Sequence, residues 1–68
     1  MMIRYAVAVE DIHGETRYEA IGTGLNQDPQ YAHLYTRLDL AQRKVKQYLD
    51  QPAHYRAAYV KEVTVTGF

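Results

Sequence analysis

The chain has 68 residues and no cysteine, which is enough for one domain (residues 1–68) and excludes disulfide bonds. Eight Lys and Arg residues balance eight Asp and Glu residues, so no net charge attracts nucleic acid or an anionic membrane. The short apolar N-terminal run is interrupted by Arg4 and closed by Glu10, unlike a signal peptide, and no run approaches the about 20 apolar residues that span a bilayer. A cytoplasmic protein is expected.

Domains of this length bury only about 60% of the surface that the unfolded chain exposes, so their stability is marginal. Small scaffolds usually gain stability from disulfides, metals or a second subunit. Because disulfides are excluded, oligomerisation is the remaining means of burying more surface. The size argument leaves a homodimer and a monomer equally open.

Two strands are predicted at the N-terminal end. Residues 3–9 alternate with period two, and one apolar face carries Ile3, Tyr5, Val7 and Val9. A hairpin loop follows at residues 11–15, where Gly14 can adopt the positive φ that such loops need. Residues 16–23 form the predicted second strand, antiparallel to the first, with Gly22 and Gly24 ending or bulging it.

A polar connection is predicted over residues 25–30, with a turn at Asp28-Pro29. Residues 31–35 fit either the first turn of the following helix or a short strand beside the hairpin. We prefer the short strand, because Thr36 followed by Asp39 is an acceptable helix start. Asp39 also places a negative charge where the helix dipole favours one.

A helix over residues 37–50 and a final strand over residues 56–66 complete the predicted elements. The helix has one apolar stripe at three- and four-residue spacing, formed by Leu38, Ala41, Val45, Tyr48 and Leu49. Pro52 stops the helix. The final strand is rich in Val, Tyr and Thr, and its pattern allows a bulge near Lys61.

The predicted fold is α+β: a three- to four-stranded antiparallel sheet with one helix packed on one face, in the order β-β-(β)-α-β. The other sheet face is an open question at this level. It presents a modest apolar patch to solvent or is covered by a second copy of the chain, and its residues are Ala6, Ala8, Ile21, Ala58 and Val60.

Seven tyrosines are the main aromatic residues of the chain. Tyrosine is enriched at protein interfaces, and it also suits the rim of a small core because its hydroxyl needs water or a partner. Tyr5, Tyr48 and Tyr59 are interpreted as core rings with their hydroxyls at the rim. Tyr31 and Tyr35, which flank His33, are the preferred contact candidates.

Four basic residues of the helix form a second candidate surface: Arg37, Arg43, Lys44 and Lys46. With nearby tyrosines they offer an alternative function, a nucleic-acid-binding module that stacks bases and binds phosphates. The opposing interpretation is a solvated helix face, because Asp39 and Asp50 lie among the cations and the net charge is zero.

Catalytic, metal and cofactor sites are not predicted. The chain has neither cysteine nor serine, and its three histidines lie 20 and 21 residues apart, without the close helical spacing of metal ligands. The segment Gly22-Thr23-Gly24 lacks the third glycine of a dinucleotide-binding loop. We expect neither enzymatic activity nor a cofactor.

The run from Tyr35 to Arg43, after a hairpin and before a strand ending Lys61-Glu62-Val63-Thr64-Val65, resembles a group of small proteins of unknown function. They are found in Gram-positive bacteria, often on prophages or other mobile elements. The resemblance implies a non-enzymatic accessory protein and assigns no site residues. The function predicted is a protein–protein interaction module that binds itself or another protein, through tyrosine and aliphatic side chains or through an edge strand.

Overall fold

The computed structural model describes residues 2–20 and 24–66. They form a four-stranded antiparallel sheet in the order β3-β2-β1-β4 with one α-helix packed against it, which confirms the predicted α+β fold. The elements are β1 (Met2–Asp11), β2 (Thr16–Ala20), β3 (Gly24–Asn26), a 3₁₀ helix (Pro29–Tyr31), α1 (Leu38–Leu49) and β4 (Tyr55–Val65). No helix within the described ranges is long and apolar enough to cross a bilayer.

The β1–β2 hairpin forms as predicted, and Asp11 organises its loop. The Asp11 carboxylate accepts hydrogen bonds from the backbone N–H groups of His13 (2.8 Å) and Glu15 (3.0 Å). The hydrogen bond from Glu15 is the main reason why the pKa of Asp11 lies below its usual value. Gly14 has a φ of 85°, which confirms its predicted role in the loop. The predicted end of the second strand, residues 21–23, lies outside the described residues.

The core lies between the helix and the predicted apolar face of β1. Val7, Val9 and Ala41 are fully buried, and Tyr5, Val45, Tyr48, Tyr55, Ala58 and Val60 are among the partly buried side chains around them. Because Ala41 has only a methyl group, the N-terminal half of α1 can approach the sheet closely. Leu38 and Leu49, predicted in the buried stripe, remain 42% and 49% exposed at the two ends of the helix.

The helix begins at Leu38, one residue later than predicted. Arg37, not Thr36, is the N-cap residue, and it makes no side-chain cap hydrogen bond. Its guanidinium instead forms two hydrogen bonds with the Asp39 carboxylate, at 2.8 and 3.0 Å. Asp39 lies in the first turn as predicted, and the helix ends at Leu49, before Pro52.

Part of the predicted polar connection is a strand. Residues 24–26 form β3, which pairs with β2 so that Tyr18 lies opposite Asn26 and Ala20 opposite Gly24. A strand of three residues is too short to show a period, so the sequence pattern missed it. The turn at Asp28-Pro29 is confirmed, because the Asp28 carboxylate caps the 3₁₀ helix by accepting the Gln30 N–H at 3.0 Å.

Residues 32–35 run extended beside the hairpin, close to the preferred short strand, although Tyr31 belongs to the 3₁₀ helix. Two isolated bridges hold the segment, Ala32 to Ala20 and Tyr35 to Tyr5. The Tyr35 N–H donates to the Tyr5 carbonyl at 2.8 Å, and the Tyr5 N–H donates back at 3.0 Å. The segment therefore pairs with β1 at Tyr5, on the N-terminal side of residues 8–10, which pair with β2.

The bulge predicted near Lys61 is wrong. Residues 57–65 of β4 keep an unbroken antiparallel register with β1, and the irregularity falls between Glu10 and Asp11, opposite Arg56. Val60 therefore faces the helix through ordinary strand alternation, while Tyr59 and Lys61 face the other side of the sheet.

Enlarging Ala41 should destabilise the domain. Ala41→Leu inserts three carbons where α1 meets Val7 and Val9, and overpacking of this kind costs about 1–3 kcal/mol. The matched control is Gln42→Leu on the exposed side of the same helix turn, expected to change stability by less than about 0.5 kcal/mol. The free energies of unfolding in urea compare the variants, and equal values would contradict the close helix–sheet contact.

Candidate functional site

A buried carboxylate lies on the helix side of the sheet, near the end of β2. Glu19 is 8% exposed and is the one buried charged side chain among the described residues. Strand alternation places Glu19 on the face opposite Tyr18 and Ala20. An isolated carboxylate in such a position would be strongly destabilising, so its partners decide whether the arrangement is stable.

Three side chains from two other segments satisfy Glu19. The Tyr35 hydroxyl donates to Oε1, the Tyr48 hydroxyl donates to Oε2 at 3.1 Å, and the Lys44 ammonium lies 3.5 Å from Oε2. Lys44 and Tyr48 project from the same face of α1 because they are four residues apart. Glu19 therefore connects β2, the extended segment 32–35 and the helix through polar contacts.

A shallow cleft opens to solvent beside this carboxylate. Its volume is about 350 Å³, and its lining residues are Glu19, Ala20, Gly24, His33, Tyr35, Lys44 and Tyr48. The His33 ring stands edge-to-face against Tyr35, with centroids 4.4 Å apart, and the Lys44 ammonium lies 5.9 Å from the centre of the Tyr48 ring. We call this feature the Glu19 cleft.

Both tyrosine hydroxyls in the Glu19 cleft remain donors over the ordinary pH range. Burial is the largest cause that raises the pKa of Tyr35 far above its usual value, followed by the hydrogen bond to Glu19. Burial also raises the pKa of Tyr48, and the negative charge of Glu19 adds to it. The carboxylate is therefore held by two protonated phenols.

The predicted contact residues divide among several places. His33, Tyr35 and Lys44 converge in the Glu19 cleft, whereas Tyr31 is 54% exposed in the 3₁₀ helix and Arg37 is paired with Asp39. Arg43 and Lys46 are exposed on α1. Two of the four basic helix residues are thus engaged by carboxylates, which divides the predicted basic surface.

Sequence reasoning missed Glu19 itself. Glu19 lies among β-prone residues of the second strand, where a charged side chain usually faces water. Its position in the sequence therefore indicates exposure and not burial. Its burial depends on Tyr35 and Tyr48, which lie 16 and 29 residues away in the chain. Local residue spacing does not predict contacts between side chains so far apart in the sequence.

The opposite face of the sheet has a floor of alanines flanked by tyrosines. Ala8 of β1 lies opposite Tyr18 of β2 and Tyr59 of β4, and both Ala6 and Ala8 are buried. The Lys61 ammonium, also on this face, lies 5.7 Å from the centre of the Tyr18 ring. Tyr59 is 46% exposed here, so its interpretation as a core ring is wrong: alternation turns it away from the helix.

A groove of about 440 Å³ crosses this open face. Its walls come from the 3₁₀ helix and the extended segment on one side and from β4 on the other. Its lining residues are Ala6, Tyr18, Pro29, Gln30, Ala32, Leu34, Lys61, Glu62, Val63 and Thr64. Ala6 and Ala8 of the predicted apolar patch lie on this face but are buried, and Ala58 and Val60 face the helix. None of the described residues of the patch is therefore presented to solvent as predicted, and Ile21 lies outside the described residues.

The outer edge of β4 has backbone groups that no described strand pairs with. β4 lies at the end of the sheet, next to β1 alone. Because Tyr5 exchanges hydrogen bonds with Tyr35 on one side of β1, the neighbouring Ala6 must exchange its own with Lys61 on the other. Alternate β4 residues consequently direct their N–H and C=O groups away from β1: Ala58, Val60, Glu62 and Thr64.

Comparisons of the chain with protein-family models, with curated proteins and with solved structures gave no match. The resemblance to small proteins of Gram-positive bacteria and prophages therefore stays a prediction.

Alkaline titration should separate Tyr35 and Tyr48 from the other tyrosines. Since their pKa values are raised in the folded state, their contribution to stability is complete below the usual tyrosine pKa of about 10 and is lost as the pH rises beyond it. Phenolate absorbance should show two late-titrating groups among the seven tyrosines.

The same titration tests the role of Glu19. Glu19→Gln removes the negative charge, so the two late groups should titrate at lower pH while burial still holds them above the ordinary value. Glu15→Gln, at an exposed carboxylate of the hairpin loop, is the control and should leave the curve unchanged. An unaltered curve in Glu19→Gln would contradict the contacts described.

Proposed function

We propose that the chain is a small non-enzymatic protein–protein interaction module that adds a partner strand to the outer edge of β4. The first partner proposed is a second copy of the chain. The observation that carries the proposal is the outer edge of this 11-residue strand, which pairs with no other described strand and lies beside an open face with exposed apolar side chains. Strand addition at such an edge is a recurring mode of protein recognition.

Backbone hydrogen bonds supply the attraction in this proposal. The outward groups of Val60 and Glu62 lie at the middle of the edge, where an added strand would satisfy them. Tyr59, 46% exposed on the open face, would add a cross-strand contact to the incoming chain. A long edge with a large exposed ring therefore supports protein binding better than any other described surface.

Charged residues of β4 restrict which strands fit. Lys61 and Glu62 are exposed at the centre of the edge, and charges there normally oppose indiscriminate pairing. A two-fold antiparallel pairing centred on Val60 places Tyr59 of each copy opposite Lys61 of the other, which favours a cation–π contact. Pairing centred on Lys61 or on Glu62 would instead place like charges together. The register centred on Val60 is therefore the one proposed.

The alternative of nucleic-acid binding has weaker support, since carboxylates already engage Arg37 and Lys44. The two functions differ in salt dependence. Binding to phosphates weakens steeply between low and moderate ionic strength, whereas strand pairing with apolar contacts should respond little.

Amide hydrogen exchange tests the proposed edge directly. In an isolated chain the outward amides of Val60 and Glu62 should exchange rapidly, while those of Lys61 and Val63, bonded to β1, are protected. Raising the protein concentration should protect the outward amides as copies pair. Persistent rapid exchange at millimolar protein would contradict self-pairing through β4.

A proline variant tests strand pairing at the outer edge of β4 while leaving the fold of the chain intact. Glu62→Pro removes an outward N–H without touching the β1 ladder, because proline is tolerated on the open side of an edge strand. Light scattering should show a dimer for the unaltered chain at low and high salt and a monomer for Glu62→Pro. Glu62→Thr removes the same charge but keeps the N–H, and it should remain dimeric. If both variants were monomeric, the loss of the Glu62 charge and not the loss of its N–H would explain the dissociation of the dimer.

A further inference from the structure

Lys44 is the loosely held member of the Glu19 cleft. Its ammonium lies 3.5 Å from Glu19 Oε2, longer than the about 2.7–2.9 Å of a strong charge-assisted hydrogen bond. Its side chain is 39% exposed, and its flexible stem can carry the charge into solvent at little cost. The contact is therefore easily exchanged for another cation.

Glu19, by contrast, is firmly positioned. Its side chain is 11% exposed, and the hydroxyls of Tyr35 and Tyr48 each hold one of its oxygens. A carboxylate offers about four acceptor positions, of which these hydroxyls and Lys44 use three. A fixed anion with acceptor capacity left over faces the cleft.

The walls of the cleft also favour positive charge. Tyr35, Tyr48 and His33 line it, and the Lys44 ammonium already lies 5.9 Å from the centre of the Tyr48 ring, within cation–π range. The volume of about 350 Å³ lies within the about 300–1,000 Å³ of small-molecule sites. An anionic ligand would meet the Glu19 carboxylate instead and be repelled.

We propose that the Glu19 cleft binds an alkylammonium group from outside the chain, with Lys44 acting as an internal competitor that occupies the same carboxylate when no ligand is present. The incoming ammonium donates to Glu19 and packs its alkyl stem against the tyrosine rings. The displaced Lys44 ammonium moves to solvent. The site lies on the helix side of the sheet, so it goes beyond the function proposed for the β4 edge and does not depend on it.

The probe for this site is n-butylammonium, followed by NMR shifts of residues that line the cleft, Ala20, Gly24 and His33. Saturable shifts are expected in the unaltered chain. Lys44→Met removes the competitor but keeps the apolar stem, and it should bind the probe about two- to fivefold more tightly, the factor expected of a partly exposed ion pair. Lys46→Met removes the same charge from the exposed part of α1 and should leave the affinity unchanged.

Two further measurements decide between a cation site and an unspecific effect. n-Butanol, which has the same stem without the charge, should cause no saturable shift. Glu19→Gln in the Lys44→Met background should abolish binding of n-butylammonium. Equal affinities in Lys44→Met and Lys46→Met, or equal shifts with n-butanol, would overturn the proposal.

If the double variant fails to fold, the comparison of Lys44→Met with Lys46→Met decides alone. Performing every titration in the Glu62→Pro background removes pairing through β4, so failure of the cation site and failure of the proposed edge are read separately.

Discussion

Burial of one carboxylate joins three parts of this domain through side chains: β2, the extended segment 32–35 and the helix. Glu19 lies at the end of a short strand, and the hydroxyls of Tyr35 and Tyr48 reach it from the extended segment and from the helix. Losing either hydroxyl would leave a buried charge with fewer partners, which is costly in a low-dielectric environment. The contact therefore acts together with the two backbone bridges to fix how the connection between the hairpin and the helix lies beside the sheet, and the cleft opens next to it.

The two faces of the sheet bury their apolar residues in different ways, although the core of this domain is small. On the helix side, Ala41 allows close approach to Val7 and Val9, so a few small side chains achieve full burial. On the other side, where no described element covers the centre of the sheet, Ala6 and Ala8 are buried beneath longer neighbours such as Tyr18. Because these alanines lie beneath large amphipathic side chains, they are shielded from water, while the tyrosine hydroxyls can still reach it. The proposed β4 edge and the cation site lie on these different parts of the molecule, so each can be occupied independently.

Sequence reasoning recovered the elements whose residues repeat over several turns or pleats. The period-two pattern of β1, the apolar stripe of α1 and the hairpin glycine all predicted what the structure contains. It failed where an element is too short to show a period, as in β3, and at the start of the helix, where Arg37 and not Thr36 is the N-cap residue. Of the predicted contact residues, His33, Tyr35 and Lys44 meet in one cleft, but the carboxylate that gathers them was not among the candidates.

Local information in the chain determined the α+β class, the hairpin and the helix, because hydrophobic period and turn chemistry act between residues close in sequence. Tertiary structure decided which tyrosines enter the core and which remain exposed: Tyr35 and Tyr48 turn toward Glu19, while Tyr59 faces outward. It also decided that β4 is an outer strand, one edge of which pairs with no other strand in residues 2–20 and 24–66. These outcomes depend on strand order and on contacts between distant residues, and a pattern of neighbouring residues carries no information about either.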